Sequence, residues 1–303
     1  MEVNPMRLSG IWLPLITPFN NGALDETSLR RLLRHYVAQP VDGIILAATT
    51  GEGLTLDDEE TARLVSIAAA ELGEASRDIP LYLGVSGSDT RKVIKALESS
   101  ADWPLEGYLI TCPYYTRPCQ AGLIQHFTAL AESTSRPIVI YNIPYRTGVN
   151  LENAAMLRLA ELPNIVGVKD CSANAEQSFD LLRRRPKSFA VLTGEDALFY
   201  NALAQGADGG ILMSAHIAAG HFAAVRSKLM TGNLAGALAD WYALSLLPQL
   251  LFAEPSPAPV KYWLWRLGLI DSPEVRLPMT GISEALARRI DQAIEGAPLA
   301  KTA

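Results

Sequence analysis

An α/β architecture, a (β/α)8 TIM barrel with a C-terminal helical extension, is predicted by three features of the sequence. Eight short, almost continuously apolar runs recur through the first two-thirds of the chain. Stretches of helical period lie between them, and after the eighth run no further strand-like segment follows. Runs without polar alternation suit a parallel sheet covered on both faces, and eight of them with helices between, over about 220 residues, match the size of such a barrel.

The runs occupy residues 11–16, 43–47, 81–85, 107–110, 138–141, 165–168, 190–192 and 209–213. Residues 25–38 place Leu29, Leu32, Leu33 and Tyr36 on one helical stripe. Residues 55–72 open on Thr55, Asp57, Asp58, Glu59 and Glu60, capping and dipole-compensating side chains, before Leu64, Val65 and Ala68. A helix over 151–162 is expected to stop at Pro163. The rival architecture, a doubly wound open sheet, needs a glycine-rich phosphate turn after an early strand, and the sequence has none. From about Phe222 the sequence is helical in character, chiefly over 235–251, 258–267 and 283–294, and 296–303 reads as a frayed tail. Residues 1–225 are thus expected to form the barrel and 226–303 a helical region.

Composition narrows the function. The 303 residues are 49% hydrophobic, enough to bury a full core, and carry a net charge of −6. That balance argues against a nucleic-acid partner, which needs a clustered basic field. The one dense basic run, Arg183-Arg184-Arg185, is read as the solvated C-terminal end of a helix. Cys112, Cys119 and Cys171 are too scattered for a disulfide framework, and His35, His126, His216 and His221 offer no metal-ligand spacing. The N-terminus lacks a basic start followed by an apolar core, and the most apolar late segment, 243–253, is short and broken by Pro248. No secretory signal and no membrane span are expected, and the location expected is cytoplasmic.

Barrel chemistry gathers at the C-terminal ends of the strands. The second strand leads into Thr49-Thr50-Gly51-Glu52, a tight turn whose N–H groups and hydroxyls suit a small carboxylate. The fourth leads into Pro113-Tyr114-Tyr115, the fifth into Tyr141 and then Arg146, and the sixth into Lys169. Lys169 is the sharpest signal. Of seven lysines it alone ends an apolar strand, where desolvation lowers an amine's pKa and leaves it nucleophilic toward a carbonyl. The alternative is a lysine salt-bridged to Asp170 or Glu52. Tyr115 and Tyr141 offer phenols to shuttle the protons that imine chemistry moves, or else half-buried packing. Arg146 either clamps a second carboxylate bidentately or lies on the surface.

As a set these segments resemble the dihydrodipicolinate synthase / N-acetylneuraminate lyase family of class I aldolases. The resemblance rests on Ala48-Thr49-Thr50-Gly51-Glu52, Pro113-Tyr114-Tyr115-Thr116-Arg117-Pro118, Tyr141-Asn142-Ile143-Pro144-Tyr145-Arg146-Thr147-Gly148 and Val168-Lys169. It continues through Leu192-Thr193-Gly194-Glu195-Asp196, the stretch from Phe252 to Lys261, and Arg276-Leu277-Pro278-Met279-Thr280. The resemblance implies a Schiff base between Lys169 and pyruvate, a Thr49–Tyr115–Tyr141 proton relay, and substrate contacts from Thr50, Arg146, Gly194 and Ile211. Arg146 matches the arginine that receives the carboxylate of aspartate 4-semialdehyde in the synthases, whereas Lys169-Asp170-Cys171 departs from their usual Lys-Glu-Ala.

The resemblance further implies no metal and no organic cofactor, the imine being the electron sink. It implies a homo-oligomer, a dimer of dimers, with Tyr115 reaching into the neighbouring subunit. At the positions where the regulated synthases bind lysine, this chain has Asp58, Thr61, Ser88 and Lys92, with Tyr114 kept. Two rival functions share the fold: an aldolase or dehydratase acting on a hydroxylated 2-oxo acid, and a non-catalytic barrel that binds 2-oxo acids.

Overall fold

A computed structural model describes residues 8–75 and 77–296. The N-terminal residues 1–7 and residues 297–303 of the expected frayed tail, Lys301 among them, lie outside the described residues, whereas Gly296 is the last residue of a helix rather than frayed. The strands are β1 (Gly10–Pro14), β2 (Phe19–Asn20), β3 (Ala23–Leu24), β4 (Gly43–Leu46), β5 (Leu81–Val85), β6 (Gly107–Thr111), β7 (Ile138–Asn142), β8 (Ile165–Asp170), β9 (Ala190–Thr193) and β10 (Gly209–Ile211). Eight of them close a parallel barrel in the order β1-β10-β9-β8-β7-β6-β5-β4, the predicted fold, and β2 pairs antiparallel with β3. That hairpin was not foreseen. Its arms are two residues each, too short for a periodic signal, although Asn21-Gly22, both at positive φ, is a strong turn pair.

The chain divides into two compact units. Among the described residues, one comprises 8–10, 85–102 and 106–211; the other comprises 11–75, 77–84, 103–105 and 212–296. In the first, β6, β7, β8 and β9 run parallel, with a register shift between Ile138 and Val139 where β7 meets β8, and every residue of β6, β7 and β9 is buried. Helices cover them, and Leu123, Phe127 and Leu130 of Gln120–Ser133 are fully buried. In the second, helix Glu26–Val37 starts at Asp25, whose side chain accepts from the Ser28 N–H, and buries Leu29, Leu32, Leu33 and Tyr36 as the stripe predicts.

Several boundaries differ from the expectation. The helix expected from Thr55 begins at Asp58, because Asp57 and Glu60 form a reciprocal capping box and Gly53–Thr55 turns as a 3-10 segment. The helix expected over 151–162 is Asn153–Leu159. The sixth barrel strand, by contrast, ends in Lys169 and Asp170 as expected. Arg183 and Arg184 pair with Asp180 at a helix end, but Arg185 is not solvated. Its side chain is 12% exposed, and the guanidinium pairs with Asp208 and donates to the Phe189 and Gly206 carbonyls, so the charge is drawn in by a buried carboxylate and two backbone acceptors.

After β10 the helices are Ala215–Met230, Leu234–Leu244, Leu246–Leu251, Ala258–Arg266 and Glu284–Gly296. Leu234–Leu251 is long and apolar enough, by length and composition alone, to cross a membrane. The structure divides it at Ser245, and Leu244, Leu247, Leu250 and Leu251 are buried. Pro248 sits in the first turn of the second piece, where a missing N–H costs nothing.

Candidate active site around Lys169

β7 and β8 place Tyr141 directly beside Lys169, as paired positions of parallel strands, so their side chains share one face of the sheet. The Lys169 Nζ lies 4.2 Å from the centre of the Tyr141 ring. The lysine is 5% exposed, and burial holds its pKa below that of an ordinary lysine, opposed by the acidic groups of Asp196 and Glu195. Neither carboxylate considered as a salt-bridge partner takes it. Asp170 accepts from the Ser172 N–H and the Ser178 hydroxyl, and Glu52 is paired with Lys261.

Gly194 follows β9 and has a steric reason to be glycine. A Cβ there would stand 2.4 Å from Lys169 Cε and 2.4 Å from Cys171 Sγ, so the lysine stem lies directly against the Gly194 backbone. Ile211, the last residue of β10, is buried at 2% exposure. Lys169, Tyr141 and Gly194 are thus brought together.

Three neighbours were not singled out from the sequence. Cys171 is fully buried within hydrogen-bonding reach of both Tyr141 and Glu195, and burial raises its pKa well above the ordinary thiol value. It is therefore a neutral thiol at neutral pH, and no thiolate offsets the desolvation of Lys169. Burial also raises the Glu195 carboxyl, one oxygen of which, Oε1, is buried without a hydrogen-bond partner. Burial raises the Tyr145 phenol as well, and the Arg146 guanidinium lies 5.8 Å from that ring's centre. Adjacency to Lys169 in the motifs was the available signal for Cys171. For Glu195 the signal was its place directly after Gly194 in the segment Leu192 to Asp196.

Arg146 lies in a one-turn helix, Pro144–Thr147, closed by Gly148 at φ +77. It is exposed, yet close enough to Lys169 for its charge to lower the amine's pKa, so surface position and proximity to the site hold together. Tyr115 also stands out, 92% exposed at φ +69, its N–H donating to the Thr147 carbonyl at 3.1 Å. Nothing within this unit covers its ring. In the other unit, Thr49 and Thr50 follow β4 in a turn where Glu52 N–H donates to the Thr49 carbonyl at 3.1 Å, and Thr50 is buried. Among the described residues no group of three or more His, Cys, Asp or Glu could hold a metal ion.

Residues 7–297 match the Dihydrodipicolinate synthetase family. The chain is 43% identical over 287 residues to 4-hydroxy-tetrahydrodipicolinate synthase 2 of Clostridium acetobutylicum, covering 95% of this chain and 99% of that one. It is 36% identical over 293 residues to the 4-hydroxy-tetrahydrodipicolinate synthase of Dechloromonas aromatica, covering 96% and 99%. Among solved structures, dihydrodipicolinate synthase from Thermotoga maritima superposes with a TM-score of 0.92 at 32% identity, covering 96% of this chain and 99% of that one. With a barrel of the same topology, a buried lysine at the end of its sixth strand, and similarity over nearly its whole length, the chain belongs to the dihydrodipicolinate synthetase family.

Proposed function

We propose that this chain is an imine-forming lyase that condenses pyruvate with L-aspartate 4-semialdehyde, the 4-hydroxy-tetrahydrodipicolinate synthase reaction of lysine and diaminopimelate biosynthesis. The observation that carries the reading is Lys169, a desolvated amine held between the Tyr141 ring and the Gly194 backbone. The amine adds to the ketone carbon of pyruvate and water leaves, giving an imine. Loss of a methyl proton converts it to an enamine, whose carbon attacks the aldehyde. The amino group of the semialdehyde then displaces Lys169 as the ring closes. Tyr141 moves protons at the lysine, with Thr49 and Tyr115 continuing the relay. Thr49 and Thr50 receive the carboxylate of pyruvate, Gly194 and Ile211 line its site, and Arg146 orients the semialdehyde.

A coupled assay of pyruvate with a panel of aldehydes, run beside a cleavage assay on sugar acids, tests this. Turnover with the semialdehyde and none with sugar acids supports it; the reverse overturns it. One observation favours a second reading, an aldolase for a hydroxylated 2-oxo acid: the unpartnered Glu195 oxygen would accept from a substrate hydroxyl. We further propose residues 1–225 as the catalytic barrel, 226–303 as its helical extension, and a cytoplasmic location.

The bare Tyr115 ring supports an assembly in which a second copy covers it, a tight dimer paired into a tetramer. One solved relative is a monomeric dihydrodipicolinate synthase variant. Sedimentation at assay concentration is expected to give a dimer or tetramer, and a fully active monomer would contradict the proposal.

Free lysine is expected not to inhibit. Lys92 is an exposed helix residue where the regulated relatives present a carboxylate to the effector's ammonium, and the Ser88 hydroxyl donates to the Tyr114 carbonyl at 2.6 Å. Millimolar binding is worth only about 4 kcal/mol, and replacing an attractive charge by a like one removes most of it. Titrating lysine into the assay is expected to leave half-inhibition above about 1 mM. Inhibition at lower concentration would mean that Asp58 or another group has taken over the effector's amine.

A further inference from the structure

We infer that Lys261 is a positioning residue for pyruvate, acting through Glu52 to fix the Thr49-Thr50-Gly51 turn. The inference rests on the reading that this turn receives the pyruvate carboxylate.

The turn is tightly determined on its backbone side. Ala47 and Glu52, neither a glycine, both take left-handed conformations, at φ +51 and +53. A Cβ at Gly51 would stand 2.8 Å from the Leu15 carbonyl oxygen, and one at Gly53 1.8 Å from that of Ala47. The Gly51 carbonyl accepts from the Thr17 hydroxyl at 2.7 Å, and the Gly53 N–H donates to the Ala48 carbonyl at 3.2 Å. What remains is to hold Glu52 in its strained conformation, and its side chain does so from below.

That side chain is 2% exposed, and both its oxygens are occupied. Oε1 accepts from Lys261 Nζ, and Oε2 accepts from the Arg276 backbone N–H at 2.9 Å. The Lys261 side chain is 0% exposed and donates a second bond to the Glu274 carbonyl at 2.7 Å. Its Nζ lies 4.3 Å from the Phe19 ring centre, and the Arg276 guanidinium carbon lies 4.1 Å from the same centre. Arg276 in turn pairs with Glu60 and donates to the Thr55 and Gly22 carbonyls. Burial lowers the Lys261 pKa to about 8, and Glu52 works against that shift.

A buried ammonium with one carboxylate partner is a costly device if stability is its only purpose, since an apolar pair of the same volume serves a core as well. It becomes economical where a charged side chain must be kept at one place and one angle. Here the residue so held, Glu52, is the next but one after Thr50, and its backbone conformation sets where the N–H groups and hydroxyls of the turn point.

The test compares Lys261→Met, Glu52→Gln and a Thr50→Val control by steady-state kinetics, below the melting temperature measured for each. A positioning role raises the KM for pyruvate about tenfold or more in Lys261→Met and Glu52→Gln, with kcat and the KM for the semialdehyde within about threefold of the parent. Glu52→Gln keeps the shape but turns one of the two accepting oxygens into an NH2 donor, so it loses either the Lys261 or the Arg276 contact and carries the test if Lys261→Met does not fold. A lowered melting temperature with unchanged pyruvate KM overturns the inference and leaves a structural ion pair. Unchanged pyruvate KM in Thr50→Val overturns instead the reading of the turn on which it rests.

Discussion

Borohydride added with pyruvate is expected to leave a reduced three-carbon adduct on Lys169, and Lys169→Ala to abolish both the adduct and turnover. Hydride converts the imine to a stable secondary amine, so peptide mass analysis locates the lysine. Removing the covalent nucleophile is expected to lower kcat/KM by roughly four orders of magnitude or more, about 5.5 kcal/mol of transition-state stabilisation. The pH dependence has a definite sign. The ammonium form of Lys169 cannot attack the ketone, so trapping slows as pH falls through its pKa. Burial lowers that pKa from 10.5, and trapping therefore persists to lower pH than a solvent-exposed lysine allows. Adduct on another lysine, or trapping that fails as soon as pH drops below the ordinary lysine range, would contradict the assignment.

Arg146→Ala is expected to spare that trapping and to cripple condensation with aspartate 4-semialdehyde. In the proposed site pyruvate is held by Thr49 and Thr50, so its imine is still expected to form. A charge-assisted contact to a substrate carboxylate is worth about 2–5 kcal/mol when one partner is truncated, which lowers kcat/KM for the semialdehyde by roughly two orders of magnitude or more. Arg146 is exposed, with its guanidinium near the Tyr145 ring, so the variant should melt with the parent. Equal activity of variant and parent on the semialdehyde would shift the proposal to an aldolase with another acceptor.

Much of this was legible in the sequence because barrel geometry translates strand ends into a site. Lys169 and Tyr141 could be paired before any coordinates, since each closes an apolar run and neighbouring parallel strands bring such ends side by side. Helix Glu26–Val37 was legible for a similar reason: Asp25 caps it and its apolar spacing is unbroken. What escaped depends on contacts far apart in sequence. Glu195 directly follows Gly194 in the sequence, but its unpartnered oxygen shows only once the fold buries it. Lys261 read as an ordinary helical lysine because its partner Glu52 is more than 200 residues away. Arg185 looked solvated because nothing local reveals that Asp208 waits for it. The start at Asp58 rather than Thr55 turned on which of several capping residues wins, and a reciprocal box outcompetes a lone hydroxyl.

Where β10 meets the start of β1, Gly209 and Gly10 approach so closely that a Cβ on Gly209 would stand 2.0 Å from the Gly10 carbonyl oxygen. These two glycines lie roughly 200 residues apart, so the seam they form is among the longest loops the chain must close. Entropy makes such a contact late: most of the barrel has to be in place before the two ends gain anything by meeting. Substitution of Gly209 by alanine is therefore expected to accelerate unfolding while leaving the refolding rate nearly unchanged, the pattern of a contact absent from the folding transition state. Paired stopped-flow refolding and unfolding measurements distinguish this from a seam that forms early, for which refolding would slow instead. The missing side chain of Gly209 thus governs how long the closed barrel persists rather than how quickly it is reached.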